Sequence, residues 1–230
     1  MEESVRVLST LGLKGAFSSL AEQFQVASGV WIAADFAPTL NLLDRLKGGE
    51  TADVLILTQE GLAGLAAVGS VVAESCVDLA RSYVGIAIKA GSPHPDIATE
   101  AALRTTLLAA RSVAYSRLGA SGIYFAKLIA QLGIEAEINA RATIVPIGLT
   151  AERIVSGEAD LAIQQISELK QVKGVEIVGP VPLHLQTPAV FSAGRLATSK
   201  KVRESEMLLK FLASEQTAPV LRASGLEGVR

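Results

Sequence analysis

Short apolar strands and amphipathic helices alternate along this chain, joined by connections of a few residues. That alternation confines the fold to an α/β sheet covered by helices. The sequence predicts strands at Val5–Ser9, Val30–Phe36 and Asp53–Leu57, with helices at Ala16–Gln25, Leu40–Lys47 and Gly61–Val68 interleaved. A short extended piece follows at Val71–Val72. The strand Tyr83–Lys89 and the break Ala90-Gly-Ser-Pro-His-Pro after it mark the first boundary. A second α/β run comprises a helix near Thr99–Ala110, a strand at Ser112–Tyr115, a helix at Ser121–Leu132 and a strand near Arg141–Val145. It continues with a helix at Leu149–Ser156 and a strand at Leu161–Gln164. After the break Pro180-Val-Pro-Leu-His, Ala189–Gly194 returns to the first unit and a last helix covers Glu204–Ala213. Two crossings predict two lobes, one of residues 1–82 with 190–230 and one of 83–189. Each is expected to hold a mostly parallel sheet flanked by helices, with a ligand cleft between lobes that closes by a hinge.

Composition narrows the chemistry. Formal net charge is −2 and no lysine- or arginine-rich block occurs, which argues against nucleic acid as a partner. The single cysteine, Cys76, excludes an internal disulfide and any multi-thiolate metal site. With only His94 and His184, each near a proline, no metal site and no Ser-His-Asp machinery is expected. Gly119-Ala-Ser-Gly122 fails the nucleophile-elbow spacing because Ile123 stands where the last glycine belongs. No dinucleotide or Walker pattern is present, so no cofactor is expected. No run of about 18 apolar residues occurs, so direct membrane insertion is not expected. The acidic start lacks the basic stretch and apolar run of a secretory signal. The expected location is therefore periplasmic if a signal has been removed, and cytoplasmic if Met1 is the native start.

Two segments carry the binding chemistry. Val113-Ala-Tyr-Ser-Arg-Leu-Gly-Ala-Ser-Gly122 empties a buried strand through small residues into a helix, and Val5-Arg-Val-Leu-Ser-Thr-Leu-Gly12 does the same at the start of the chain. Free N–H groups and the helix dipole make such junctions anion cradles.

Further motifs identify the architecture. Val5-Arg-Val-Leu-Ser-Thr, Ala16-Phe-Ser-Ser-Leu-Ala-Glu-Gln-Phe and Lys47-Gly-Gly-Glu-Thr-Ala-Asp-Val-Leu-Ile-Leu57 occur in that order, followed by Ala120-Ser-Gly-Ile-Tyr, Ser156-Gly-Glu-Ala-Asp-Leu-Ala-Ile163 and Phe211-Leu-Ala-Ser-Glu-Gln-Thr-Ala. Over nearly the whole chain the sequence resembles type II periplasmic binding proteins, in particular the molybdate-binding subgroup of ABC-transporter solute receptors. The resemblance implies a solute-binding protein that closes on a small anion, a molybdate-like oxyanion or a small organic acid, and works with an ABC transporter membrane component. In that family hydroxyls and backbone N–H groups from four loops hold the oxyanion. By position these fall on Ser9, Thr10 and Gly12; on Pro38 and Thr39; on Ser121 and Gly122; and on Ile147 and Gly148, with a last contact at Gln165. Gly12 stands where the family has a molybdate-contacting serine, and Gln165 where it has a tyrosine, so the scaffold carries over better than the ligand. The resemblance also implies an alternative, an isomerase on the same scaffold that moves a proton in an aconitate-type polycarboxylate.

Each candidate has a local alternative. Capping alone would explain Ser9, Thr10 and Thr39, and Ser121 is the expected cap of its own helix. Ser116 shares the cradle. Gln164 and Gln165 end an apolar strand, and because successive strand residues face opposite ways only one of the pair is expected to meet a ligand. Arg117 would pair a carboxylate in a bidentate manner or sit as a solvated charge. Arg81 has Asp78 three residues before it as a local partner. No catalytic residue is assigned. For an isomerase the candidate bases are Tyr115, Asp35 and Glu152.

Overall fold

The computed structural model describes residues 4–229. In chain order the elements are β1 (Ser4–Ser9), a 3-10 turn at Leu11–Leu13, α1 (Lys14–Ser28), β2 (Trp31–Phe36), α2 (Thr39–Lys47), β3 (Val54–Thr58), α3 (Gln59–Ala67) and β4 (Val77–Ser82). Then come β5 (Val84–Lys89), α4 (Glu100–Ala109), β6 (Val113–Tyr115), α5 (Ala120–Gln131), α6 (Glu135–Asn139), β7 (Thr143–Ile144) and α7 (Glu152–Val155). The last stretch holds β8 (Leu161–Gln165), α8 (Ile166–Leu169), β9 (Val175–Pro180), β10 (Ala189–Arg195), α9 (Val202–Leu212), α10 (Ala218–Ala223) and β11 (Glu227–Gly228). Two compact units result. Unit 1 runs to Ser82 and resumes at Ala189, and unit 2 spans Tyr83–Pro188.

The unit 1 sheet has the order β11-β4-β10-β3-β1-β2. Alternation along β1 sends Val5 and Val7 to a face covered by α1, α9 and α10, and Leu8 to the face under α2 and α3. On α1 the residues Phe17, Leu20 and Phe24 recur every three or four positions and bury one stripe. The helix stops at Gly29, whose φ of 74° lets its N–H reach Gln25 O. In unit 2 the order is β7-β6-β8-β5-β9. Here Ile86, Tyr115, Phe125 and Ile163 fill one face, while Ala87, Ala114 and Ala162 allow close approach on the other.

The α/β architecture with helices on both faces is as expected, but the sheets are mixed rather than mostly parallel. β1 runs parallel to β2 and β3, and β6 to β7 and β8. The strands at the chain crossings, β4, β5 and β10, run antiparallel to their neighbours because the chain returns through each sheet in the opposite sense. The expected helix at Leu149–Ser156 is shortened to α7. No sequence expectation covered β4, α6, β9, α10 or β11. β4 is interrupted by a register shift opposite Phe191 and Ser192, which breaks its alternation, and β9 is half-buried up to its exposed last residue, Pro180.

Candidate functional site

Both units place their candidate residues at the carboxyl ends of parallel strands, where α/β sheets collect ligands. In unit 1 the ends of β1 and β2 lie side by side, since Ser9 pairs with Phe36 and Ala37 N–H donates to Ser9 O at 3.1 Å. Thr10 N–H donates to Ile56 O at 2.9 Å and ties the same turn to β3. Ser9 is fully buried and its Oγ donates to Thr10 O, and Thr10 makes no side-chain capping bond, so capping accounts for neither hydroxyl.

Gly12 is held by packing. A Cβ there would lie 2.5 Å from Phe191 Cε2 and 2.6 Å from Cζ, so the serine expected for molybdate does not fit beneath that ring. At the second loop Pro38 is the cap of α2 and Thr39 its first residue. Thr39 is 7% exposed, and its Oγ1 is buried without a hydrogen-bond partner. Capping therefore does not explain it. The first-turn N–H groups of α2 beside it have no acceptor inside the helix.

In unit 2 the ends of β6, β7 and β8 converge, and Val145 N–H donates to Tyr115 O at 2.9 Å. Ser116 Oγ accepts from Leu118 N–H at 3.2 Å and shapes the turn. Gly119, not Ser121, caps α5; its carbonyl accepts from the N–H groups of Gly122 and Ile123, because Ser121 is already the second residue of the helix. This leaves the Ala120 and Ser121 N–H groups without acceptors inside the helix. Gly122 packs directly on the turn, and a Cβ there would sit 1.4 Å from Ser116 O. Ile147 is exposed, and Gly148 at φ 103° occupies backbone space that side chains avoid. Arg117 is exposed, 3.5 Å from Asn139 Oδ1, and makes no ion pair among the described residues.

The two glutamines behave differently. Gln164 Oε1 accepts from Thr150 N–H at 2.7 Å and from Thr150 Oγ1 at 3.0 Å. Its Nε2 donates to Gly148 O at 3.2 Å and to the Glu168 carboxyl. Two lone pairs and two N–H groups are thus all engaged within unit 2, and Gln164 has nothing left to offer a ligand. Gln165 is 2% exposed, and its Oε1 is buried without a partner.

Sequence reasoning missed Glu168. It stands three residues after Gln165, the cap of α8, and its buried carboxyl accepts from the Gln165 backbone N–H. The carboxyl makes the return half of a capping box, but Gln165 is not the Ser or Thr that marks the motif in sequence, so the signal was absent. Burial dominates its environment and pushes the carboxyl up to about 8, against the lowering effect of the Gln165 backbone and Gln164 side-chain hydrogen bonds.

Other candidates have local roles. The Tyr115 hydroxyl is committed to Asn139 Oδ1 at 2.5 Å, within the core. Asp35 pairs with Arg45, whose hydrogen bond holds its carboxyl below the usual range, so it is a poor base. The Glu152 carboxylate lies beside Gly148, 3.9 Å from where a Cβ would be. The local Asp78–Arg81 pair does not form. Three residues span about 10 Å in a strand, and the Asp78 oxygens accept from Gln59 and Ser192 instead. His94 pairs with Glu176 at 3.0 Å. Among the described residues no cluster of metal-ligating side chains occurs and no helix is long and apolar enough to cross a membrane. Cavities of about 650 Å³ in unit 1 and about 530 Å³ in unit 2 lie near the amino ends of β3 and β8, and neither is lined by Ser9, Thr39, Ser116 or Gln165.

The profile of the family described as bacterial extracellular solute-binding protein matches residues 5–227. An aconitate isomerase from a Pseudomonas species is 34% identical over 232 residues, covering 98% of this chain and 88% of that protein. The Azotobacter vinelandii periplasmic molybdate-binding protein superimposes with a TM-score of 0.82 at 17% identity, covering 96% of this chain and 98% of the other. The sulfate-binding protein SubI of Mycobacterium tuberculosis gives a TM-score of 0.79 at 17% identity, covering 99% and 88%. The two structural likenesses are of fold: the two-lobed, type II periplasmic-binding-protein architecture.

Proposed function

The chain belongs to the bacterial extracellular solute-binding protein family, and on that footing we propose that it binds a small organic anion, a di- or tricarboxylate, at the carboxyl-end loops that carry the candidate residues. The observation that carries this reading is the pair of buried, unpartnered polar atoms, Thr39 Oγ1 and Gln165 Oε1, at two of those loops. Such atoms destabilise a fold unless a ligand or an ordered water satisfies them, and these two stand at the loops where a ligand is expected. A hydroxyl can donate to a carboxylate. The Gln165 amide can both donate and accept, which suits an organic acid.

In this reading unit 1 offers Ser9, Thr10 and Thr39, with the backbone at Gly12. Unit 2 offers Ser116, Ser121, Gly122, Ile147 and Gln165, and Arg117 supplies the cation for a carboxylate. Gly12, packed beneath Phe191, offers no hydroxyl of its own, which counts against molybdate. Delivery to an ABC transporter membrane component follows if the protein works as its solute-binding relatives do. Calorimetric titration with molybdate, sulfate, citrate and both aconitate isomers tests the reading. Binding of carboxylates in preference to oxyanions supports it, and no heat with any of them overturns it.

A second reading, isomerisation of an aconitate-type acid, is favoured by the 34% identical isomerase. It requires a base within reach of an allylic C–H. Of the three expected candidates, Tyr115 and Asp35 are committed to other partners, which leaves Glu152 beside Gly148. Solvent deuterium uptake into cis- or trans-aconitate at catalytic protein levels would establish this reading over simple binding.

A further inference from the structure

Glu168 is the one buried acid at the unit 2 loops, and its place in the hydrogen-bond network is unusual. Its carboxyl accepts from the Gln165 backbone N–H and from the Gln164 side chain, and Gln164 in turn grips Gly148 O and both polar groups of Thr150. One carboxyl therefore ties the 148–150 loop to the residue whose open amide oxygen faces no protein partner. Ser167, between them, is buried with its Oγ also unpartnered. Gly85 packs against Ile166, where a Cβ would be 2.6 Å from Cγ1, so α8 has little freedom to shift.

We propose that Glu168 is a positioning residue that holds Gln165 and the 148–150 loop in register for an anionic ligand, and that its ionisation releases that ligand. The proposal rests on the binding reading above. The elements packed on α8 are β5, β8 and β9, and the charged side chains they carry are Lys89 and Glu176, the latter engaged with His94 and the Gly91 N–H. Lys170 follows α8 directly. None of these acts on the Glu168 carboxyl, whose state is set by burial and the two amide hydrogen bonds. Removing its proton would place an unpaired buried charge next to a bound anion. A ligand and that charge then oppose each other, and by linkage the affinity falls as the charge forms.

The test uses trans-aconitate and sulfate as probes. Dissociation constants are measured at pH 6.5 and 9.5 for the natural protein, Glu168→Gln and Glu168→Ala. The natural protein is expected to lose about tenfold in affinity over that interval, one unit of coupled pKa shift. Glu168→Gln should change by less than about threefold, and Glu168→Ala should bind more weakly than Glu168→Gln at both pH values. Parallel pH profiles for the natural protein and Glu168→Gln, or equal affinities for the Ala and Gln variants, overturn the proposal. A second measurement holds if neither probe binds, which would count against the binding reading alone, or if a variant fails to fold. In the ligand-free natural protein the NMR signals of the Gln165 backbone amide and the Gln164 side-chain amide should titrate with a midpoint above pH 7. A midpoint in the ordinary glutamate range, or none, overturns the role of Glu168 itself.

Discussion

Thr39→Val is the sharpest perturbation, because valine keeps the shape of threonine, its branching at Cβ and nearly its helix propensity, and removes only the hydroxyl. Thr39 is 7% exposed, its Oγ1 has no partner, and one side-chain methyl faces Gly61, 3.4 Å from where a Cβ would stand. A buried polar group without a partner destabilises by about 1–3 kcal/mol. Its slight exposure argues for the lower end, so the valine variant should be more stable by about 1 kcal/mol. For a chain of 230 residues that raises Tm by roughly 2–4 °C. The same change deletes a hydrogen bond to a charged ligand, which is worth about 1.5–3 kcal/mol and weakens binding by tenfold or more. Scanning calorimetry without ligand and titration with the tightest-binding anion measure the two effects, with Thr39→Ser as the control that keeps the hydroxyl. A Tm that drops by more than about 2 °C with affinity intact would mean that the hydroxyl serves the fold, and the reasoning from its open valence would be wrong.

Four further outcomes follow from particular contacts. Gly122→Ala must push the Ser116 turn from a 1.4 Å overlap to ordinary separation; we expect a loss near the upper end of the about 1–3 kcal/mol typical of overpacking, read by denaturation. Tyr115→Phe removes the bond to Asn139 and should lower stability by about 1 kcal/mol, while any deuterium exchange into aconitate persists; loss of exchange would make Tyr115 a proton carrier after all. If exchange is detected, Glu152→Gln should abolish it while calorimetric binding remains. Glu168 gives a signed pH dependence: its folded value, about 8, exceeds the ordinary 4.5, so the folded state holds a proton that the unfolded chain releases. Stability contributed by this group is full below about pH 4.5 and declines up to about pH 8, by at most about 5 kcal/mol at 1.4 kcal/mol per unit. The natural protein minus Glu168→Gln, compared by urea unfolding at pH 5 and 8, isolates that slope, and equal slopes would refute it.

The parts of the fold legible in the sequence are those whose signals are local. The stretch from Val113 to Gln131 reads directly, since a buried apolar strand, a small-residue turn and an apolar-faced helix succeed one another without a conflicting signal. The strands that were missed lack such a signal. β9 is half-buried from Val175 to Gly179 and ends in an exposed Pro180, so neither alternation nor an apolar run marks it. β4 takes an irregular register that only its pairing with β10 defines.

The same division runs through the candidate site. That the chain turns at Ser9, Thr39, Ser116 and Gln165 was legible, because strand-to-helix junctions carry hydroxyls, amides and glycines for local reasons. Which of those groups remain open is a tertiary matter. Nothing near Gly12 in sequence shows that Phe191, from the returning strand β10, occupies the space a serine would need. Strand alternation allowed only one of Gln164 and Gln165 to meet a ligand, and Thr150 decides between them by taking both lone pairs of Gln164. Once that amide is saturated, Gln165 is left as the open one, and its backbone N–H is bonded to the buried carboxyl of Glu168. Local sequence therefore marks the strand-end turns, and distant residues decide which of their polar groups stay open.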